Sequence, residues 1–519
     1  MKPENISDAM GYIEDELVVS AGESRNRKNN KKKRPHIRPG LAAVAACICL
    51  AAAGIFWSGL VFIPNEDAAN GGSEKEFSAR EDVTNSSAAD ESSAQVKILA
   101  KAQYPEMIQC PDMETFTNEI TGEVDDEAYM KEYDAWWESR KKQLSGQEDR
   151  ESLKNFVYQT QQQFLKTEDG KNSVYSPLNI YMALGMLAEV TDGNSREQIL
   201  ELLGTEDMDV LRDMITSIWN SNYCDDGVVT SILANSLWLN EDIDFVQSTL
   251  DTLKDVYYAS SYQGTMGSDE MNRELQNWLN EQTGDLLKDQ AGKIELDSTT
   301  VMALASAVYF KAGWSDEFFE SNTKEGIFHS GQGDVKCDFM NQTLFDYYYR
   351  GEHFSAIRKG LHDREGMWLI LPDEGTQVEE LLEDRELLEL YFSGGEWENS
   401  EYKEINLSMP RFDVSSDMDL SQGLQALGIT DVFDMEKSDF TPMTRDTDKI
   451  YLSRSSHAAR VMVDEEGCTA AAFTVVSLEA GEGWSGDKVD FVLDRPFLFV
   501  IEGIGGDPLF AGVVNQPEN

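Results

Sequence analysis

Residues 463–478, VDEEGCTAAAFTVVSL, constrain this chain more than any other stretch. A strand-like beginning runs into Gly467, which lacks a Cβ and can bend where other residues cannot. The residues after it are small or apolar, with no proline and no charge as far as Leu478. Side chains alternate across a strand. With Cys468 on one face, Ala470, Ala472, Thr474, Val476 and Leu478 share it, and only Thr474 adds a hydroxyl. Thr469, Ala471, Phe473, Val475, Ser477 and Glu479 take the other face, where the bulk of Phe473 does no harm. The lack of proline leaves every ladder donor in place. Such a segment can hinge and then be buried as a strand. A second strand-like run, FVLDRPFLFVI, follows at 491–501.

Far upstream, residues 41–63 read LAAVAACICLAAAGIFWSGLVFI, 23 residues (63 − 41 + 1) without a charge. About 20 apolar residues span a bilayer as a helix. The stretch 25–38 before it, RNRKNNKKKRPHIR, is strongly basic, and such charge stays cytoplasmic. The expectation is a transmembrane helix at 41–63 behind a cytoplasmic basic tail, 1–40, with the rest of the chain outside the cell. A cleaved signal peptide is disfavoured by the length of the apolar run and of the leader. Residues 64–100 are rich in Ser, Ala, Gly, Asn and acids, and read as a disordered acidic linker. Residues 101–148 read as a helical extension, anchored by Tyr133, Trp136 and Trp137 and packed on the main domain. The alternative is a partner surface.

That main domain, 149–519, begins with an amphipathic helix, ESLKNFVYQTQQQFL. Ser176 caps the next helix, Pro177 takes its first position, and Ile180, Leu184 and Leu187 form a buried stripe. Ser195 and Gln198 suggest a capping box for a helix ending at Gly204. Strand-like runs dominate later: VVTSILANSLWL, TVMALASAVYF, GMWLILP, INLSMPRFDV, IYLSRSS, then FLFVI and LFAGVV as a hairpin. Helices early and strands late indicate an α+β fold.

Composition removes several functions. The 519 residues hold 44 basic and 95 acidic side chains, a net charge of −51, which argues against nucleic acid as a partner. Cys47 and Cys49 lie in the apolar run. Cys110, Cys224, Cys337 and Cys468 are widely spaced, read as free thiols, and allow one disulfide in an oxidising compartment. None of the five histidines stands in HExxH, and no GxSxG occurs, so no catalytic motif, metal site or cofactor is expected. Gly481, Gly483 and Gly486 spell GxGxxG, but open into a strand rather than a helix and sit beside Glu482 and Asp487. They suit an exposed, cleavable loop.

The order of blocks from about 150 to 516 resembles the serpin family throughout. NSVYSPLNIYMALGMLAEVTDGNSREQI, LASAVYFKAGWSDEF, INLSMPRFDV, GLQALGITDVFD, KSDFTPMT, HAARVMVDEEGCTAAAF and FVLDRPFLFVI each match a family block in sequence order. The resemblance implies helices packed around large mixed and antiparallel sheets with an exposed reactive loop. With the apolar run, it suggests a bacterial-type, membrane-anchored inhibitor. It implies a hinge at Glu465, Glu466, Gly467, Cys468, Thr469, Ala470, Ala471 and Ala472. It places Ser176, Ser306 and His457 in a buried polar shutter, Trp314 at the breach where the loop would enter the sheet, and Arg411 with Glu465 as a breach pair. Ser306 departs from the usual Asn, Cys468 from Thr or Ser, and Thr469 from Glu.

The implied activity is inhibition of serine-type, and with them cysteine-type, endopeptidases by a suicide substrate, not catalysis. The loop 467–490 would be cut near 479–486, with Glu479, Ala480, Gly481, Glu482, Trp484 and Ser485 as bait. Ala480 or Gly481 would suit subtilisin-like or papain-like proteases, Glu479 or Glu482 a glutamate-specific one, and Trp484 a chymotrypsin-like one. With no Arg or Lys among these residues, a trypsin-like target is not expected. The expected protein is a monomer. The alternative function is a non-inhibitory, serpin-shaped surface binding or adhesion module.

Overall fold

The structure, a computed structural model, describes residues 52–62 and 96–517 except 119–120, 122–123, 144–149, 167–169, 363–364, 448 and 469–486. The strands in chain order are β1 (Ala52–Phe62), β2 (Lys97–Ala100), β3 (Ser173–Tyr175), β4 (Cys224–Asp225), β5 (Thr230–Asn240) and β6 (Ala259–Gly264). They continue with β7 (Thr300–Gly313), β8 (Lys324–Ser330), β9 (Gly333–Arg350), β10 (Phe354–Gly360), β11 (Gly366–Pro372) and β12 (Ser400–Pro410). The last are β13 (Phe412–Asp419), β14 (Ile450–Val463), β15 (Gly467–Cys468), β16 (Lys488–Val492), β17 (Phe497–Glu502) and β18 (Pro508–Val514).

Two large sheets result. The first runs β13-β14-β1-β7-β5-β6-β2, with β15 on β7 and β4 on β5. The second runs β16-β12-β9-β10-β11-β17-β18-β3, with β8 on β9. β7 and β5 are buried along nearly their whole length, as expected of central strands covered on both faces. Helix Pro177–Val190 packs behind β7 and is buried at all fourteen positions, so the expected stripe of Ile180, Leu184 and Leu187 widens to the full circumference. Its start follows the local chemistry: the Asn179 N–H donates to Ser176 Oγ at 3.2 Å, and Pro177 fills the first turn.

The helix Gly193–Leu203 ends on Gly204 in the left-handed region, φ 75°, as expected. Its expected capping box does not form. Asp192 is the N-cap, Ser195 Oγ accepts from the Asp439 N–H, and Gln198 Oε1 accepts from Thr430 and Asp431 N–H groups. A neighbouring loop, invisible in the local pattern, outcompetes the cap.

The N-terminal part departs further from expectation. Residues 52–62 of the expected transmembrane helix form β1, a strand antiparallel to both β7 and β14. Among the described residues no helix is long and apolar enough to cross a membrane. Periodicity cannot separate a buried strand from a spanning helix in an uncharged run. Two open ladder edges here satisfy the backbone groups that a bilayer helix would satisfy internally. Residues 1–51 and 63 lie outside the described residues, as do 64–95 of the expected linker. Its end is ordered, because Lys97–Ala100 pairs as β2 with β6.

The extension contains the helix Asp126–Gln143, docked on the main domain. Trp136 Nε1 donates to Asp226 at 3.0 Å, and the buried Arg140 meets Asp226 at 3.6 Å and Glu365 at 3.3 Å. The Cys110 N–H donates to the Asp226 carbonyl at 2.8 Å.

Candidate functional site

The hinge begins where β14 ends. Asp464, Glu465 and Glu466 turn the chain, and Gly467 and Cys468 then pair antiparallel with Gly313 and Ala312 of β7. Gly467 is required twice over. Its φ is +132°, and a Cβ would lie 2.7 Å from the Ala312 carbonyl oxygen, Gly313 Cα and Trp314 N. Cys468 is fully buried, and burial pushes its thiol well above the ordinary range, so it behaves as a small apolar residue. Among the described residues Cys337 and Cys468 are free thiols.

The turn is held from three sides. The Trp314 N–H donates to the Glu466 carbonyl at 3.0 Å, and its indole Nε1 to the Asp464 carbonyl at 2.9 Å. The Phe318 N–H donates to the Glu465 carbonyl at 3.0 Å. The Glu465 carboxylate turns inward, 5% exposed. Arg411 donates to it through Nε at 2.8 Å and Nη2 at 2.6 Å, and Thr323 Oγ1 adds a third bond at 2.5 Å. Burial opposes its ionisation, but the Arg411 and Thr323 hydrogen bonds outweigh that and hold the carboxyl below its usual range. Asp464 is pushed the other way, to about 6, chiefly by burial.

Trp314 is fully buried beside Phe318, and Lys359 Nζ lies 5.1 Å and 4.5 Å from the two ring centroids. Lys359 donates to the Asp316 carbonyl and Gln342 Oε1, both at 2.7 Å, while burial lowers its pKa to about 8.

Lower in the same sheet, His457 Nε2 accepts the Ser176 N–H at 3.0 Å, with His457 fully buried. Ser306 Oγ accepts from Asn179 Nδ2 at 2.9 Å. A serine thus takes the place of the longer amide because the Asn179 side chain reaches across to it. The backbone of Phe56 lies between the two, paired with Ser306 on one side and His457 on the other.

The chain returns at β16, which runs parallel to β12 with Lys488 opposite Glu404. The two ends of the loop are therefore fixed to different sheets. Thr469, Ala470, Ala471 and Ala472 of the expected hinge lie outside the described residues. So do Glu479, Ala480, Gly481, Glu482, Trp484 and Ser485 of the expected bait. Ser176, Ser306 and His457 form one cluster, and Trp314, Arg411, Glu465, Glu466, Gly467 and Cys468 another. Sequence reasoning missed Thr323, Phe318, Lys359 and Asn179. Only Asn179 carried a signal, three residues beyond the Ser176 cap. Among the described residues no group of three or more His, Cys, Asp or Glu converges as metal ligands.

Comparison with known proteins agrees on one family. Residues 151–517 match the family described as Serpin (serine protease inhibitor). Serpin-ZX of Arabidopsis thaliana is 30% identical over 385 residues, covering 70% of this chain and 98% of that protein. Neuroserpin of Mus musculus is 28% identical over 384 residues, covering 68% and 88%. Among solved structures, the native state of the thermophilic serpin tengpin superposes with TM-score 0.62 at 22% identity, over 81% of this chain and all of that one. Thyroxine-binding globulin superposes with TM-score 0.60 at 21% identity, over 71% and 99%. These two likenesses concern the fold alone.

Proposed function

The chain belongs to the serpin family, whose members so described inhibit proteases rather than catalyse, and from that premise we propose that its 467–490 loop is a protease bait that traps by insertion. A protease nucleophile would add to the carbonyl at a bond within 479–486. The fragment bearing the new amine, which runs on into β16, would be the leaving group, and the remaining ester would hold the protease. The severed loop would then enter the first sheet as a strand. Distortion of the dragged protease would outrun hydrolysis of the ester.

One observation carries this reading. Gly467 and Cys468 stand paired on β7, followed by ten residues, 469–478, without charge or proline. Continued pairing would place an apolar-to-small row inward and add main-chain hydrogen bonds at every second residue. The bait composition supports subtilisin-like, papain-like, glutamate-specific or chymotrypsin-like targets. The basic stretch 25–38 before the apolar run supports a membrane anchor, with a monomeric inhibitor displayed outside the cell.

The test is incubation of the full chain, both lipid-free and in lipid nanodiscs, with subtilisin, chymotrypsin, a glutamate-specific protease and papain, with denaturing gels and sequencing of the released peptide. A denaturant-resistant complex with a serine protease and a cut between 479 and 486 is expected. Papain needs an activity readout as well, because a thioester is labile on gels. Clean cleavage by all four without inhibition in either state would favour the binding module, a use compatible with a fold shared with thyroxine-binding globulin.

A further inference from the structure

The place that a strand following the hinge would take in the first sheet, between β7 and β14, is held by β1. β7 pairs with β5 on one side and β1 on the other, while β14 pairs with β13 and β1. Among the described residues β7 and β14 pair nowhere with each other. The ladder partners offered by β7 from Phe310 to Met302 and by β14 from Val461 to Arg454 are taken by residues of 52–62.

The register makes the overlap specific. Cys468 faces Ala312 on β7, and Gly467 faces Gly313. The turn joins this pair directly to the end of β14, the Asp464 N–H donating to the Gly467 carbonyl at 3.3 Å, so the hinge enters on the β14 side of β7. Continued residue by residue, that ladder sets Ala470 opposite Phe310 and Leu478 opposite Met302. Those are the residues that Ala52 and Leu60 face, and β1 is also antiparallel to β7. Residues 52–60 therefore hold the places of 470–478 in the same direction and register, and AAGIF at 52–56 stands where AAAFT at 470–474 would stand.

The same eleven residues lie within the uncharged run 41–63. A bilayer-spanning helix satisfies its own backbone bonds, and a sheet strand takes them from its neighbours. The segment can do one or the other at a time.

We propose that 52–62 is a plug that competes with the loop for its insertion site, and that a lipid bilayer, by taking 41–63 as a helix, removes the plug and arms the inhibitor. The competition rests on the insertion mechanism proposed above. Away from lipid, a cut loop finds its place filled, and the protein is a substrate. In a bilayer, the place between β7 and β14 is free.

The test compares the full chain lipid-free and in nanodiscs of phosphatidylcholine and phosphatidylglycerol, with subtilisin as probe. Trapping on denaturing gels is expected in nanodiscs and lost without lipid. In parallel, Ser58→Cys with Ser455→Cys, which face each other across β1 and β14, is oxidised and the 58–455 bond mapped by mass spectrometry. The bond should form lipid-free and be lost in nanodiscs. Equal trapping in both states overturns the proposal, as does a bond that never forms lipid-free or persists in lipid. A bond that responds to lipid while subtilisin is trapped in neither state overturns the inhibitory reading, and the competition with it, but leaves the plug's place intact.

Discussion

Arg411 holds the buried Glu465 carboxylate through two short hydrogen bonds, from Nε at 2.8 Å and Nη2 at 2.6 Å, at the point where the chain leaves β14 for the hinge. The arginine comes from just beyond β12 and is 43% exposed at its side chain, so solvent moderates the attraction. The carboxylate is not exposed, so loss of its partner is felt mainly there.

Replacing Glu465 by Lys sets two cations together where three hydrogen bonds converged. The expected cost is about 2 kcal/mol, after discounting for the exposed arginine. The turn should open, free the hinge from β7 and, in lipid nanodiscs where 52–62 leaves its place, allow loop insertion between molecules. Size-exclusion chromatography should then show polymers, and a monomer of unchanged melting temperature would argue against this role for the pair.

Gly467→Ala puts a Cβ against the Ala312 carbonyl and Gly313, at a φ of +132°. Strain of about 1–3 kcal/mol is expected. The two hinge residues should detach from β7, seen as faster hydrogen exchange at 312–314 and 464–468. Unchanged exchange there would contradict the requirement for glycine.

Thr474→Arg leaves the intact loop with a soluble side chain and asks the inserted loop to bury an unpaired charge. Burial of that kind costs about 3–5 kcal/mol. The variant should be cut by the target at the normal rate and trap little of it. Trapping equal to the parent, in whichever lipid state the parent traps, would exclude insertion of this residue.

Glu502 is buried beside Arg358, which donates to it at 2.8 Å, and the Trp368 indole, which donates to its other oxygen. Burial outweighs these donors and pushes its pKa up to about 7. The folded protein thus keeps this proton to higher pH than the unfolded chain, so stability falls as pH rises from about 4.5 to about 7. Asp464, raised to about 6, adds a fall of the same sign between about 4 and 6. Melting temperatures across this range should decline, and Glu502→Gln should flatten the upper part of the slope. An equal slope in the variant would show that the general acidic repulsion alone is responsible.

Arg140→Ala removes the cation between Asp226 and Glu365, all three side chains being almost fully buried. Stranding buried carboxylates costs about 3–5 kcal/mol. The helix Asp126–Gln143 should undock, and limited proteolysis should remove it ahead of the main domain. Coincident loss of both would mean that the extension and the domain unfold as one unit.

Features set by near neighbours in the chain were legible. Ser176 followed by Pro177 marks a helix start wherever it occurs, and Gly204 marks an end, because capping needs only a few residues. Gly467 announces a bend by lacking a Cβ. The partners of Glu465 divide along the same line. Arg411 was proposed by family resemblance, whereas Thr323, 142 positions from Glu465, carries no local mark. Lys359 beneath Trp314 and Phe318 was equally silent, since nothing in its neighbourhood distinguishes a buried lysine from a surface one. Ser195 and Gln198 show the opposite error. Their pattern fits a capping box, but the Asp439 and Thr430 backbone groups claim both side chains.

By itself the sequence determined that this chain builds helices and then broad sheets, hinges at Gly467, and continues past the hinge with a strand fit for burial. Alternation, capping and the absence of proline or charge are properties of short windows. It also marked 41–63 as apolar, but could not say which backbone partners part of that run would meet. Only the tertiary structure decided that 52–62 lies between β7 and β14, because a strand becomes stable when two distant edges offer it their donors and acceptors together. The same assembly gave Glu465 its three donors, raised Glu502, and set Phe56 in the row between Ser306 and His457. Burial, register and competition for one place belong to the packed chain.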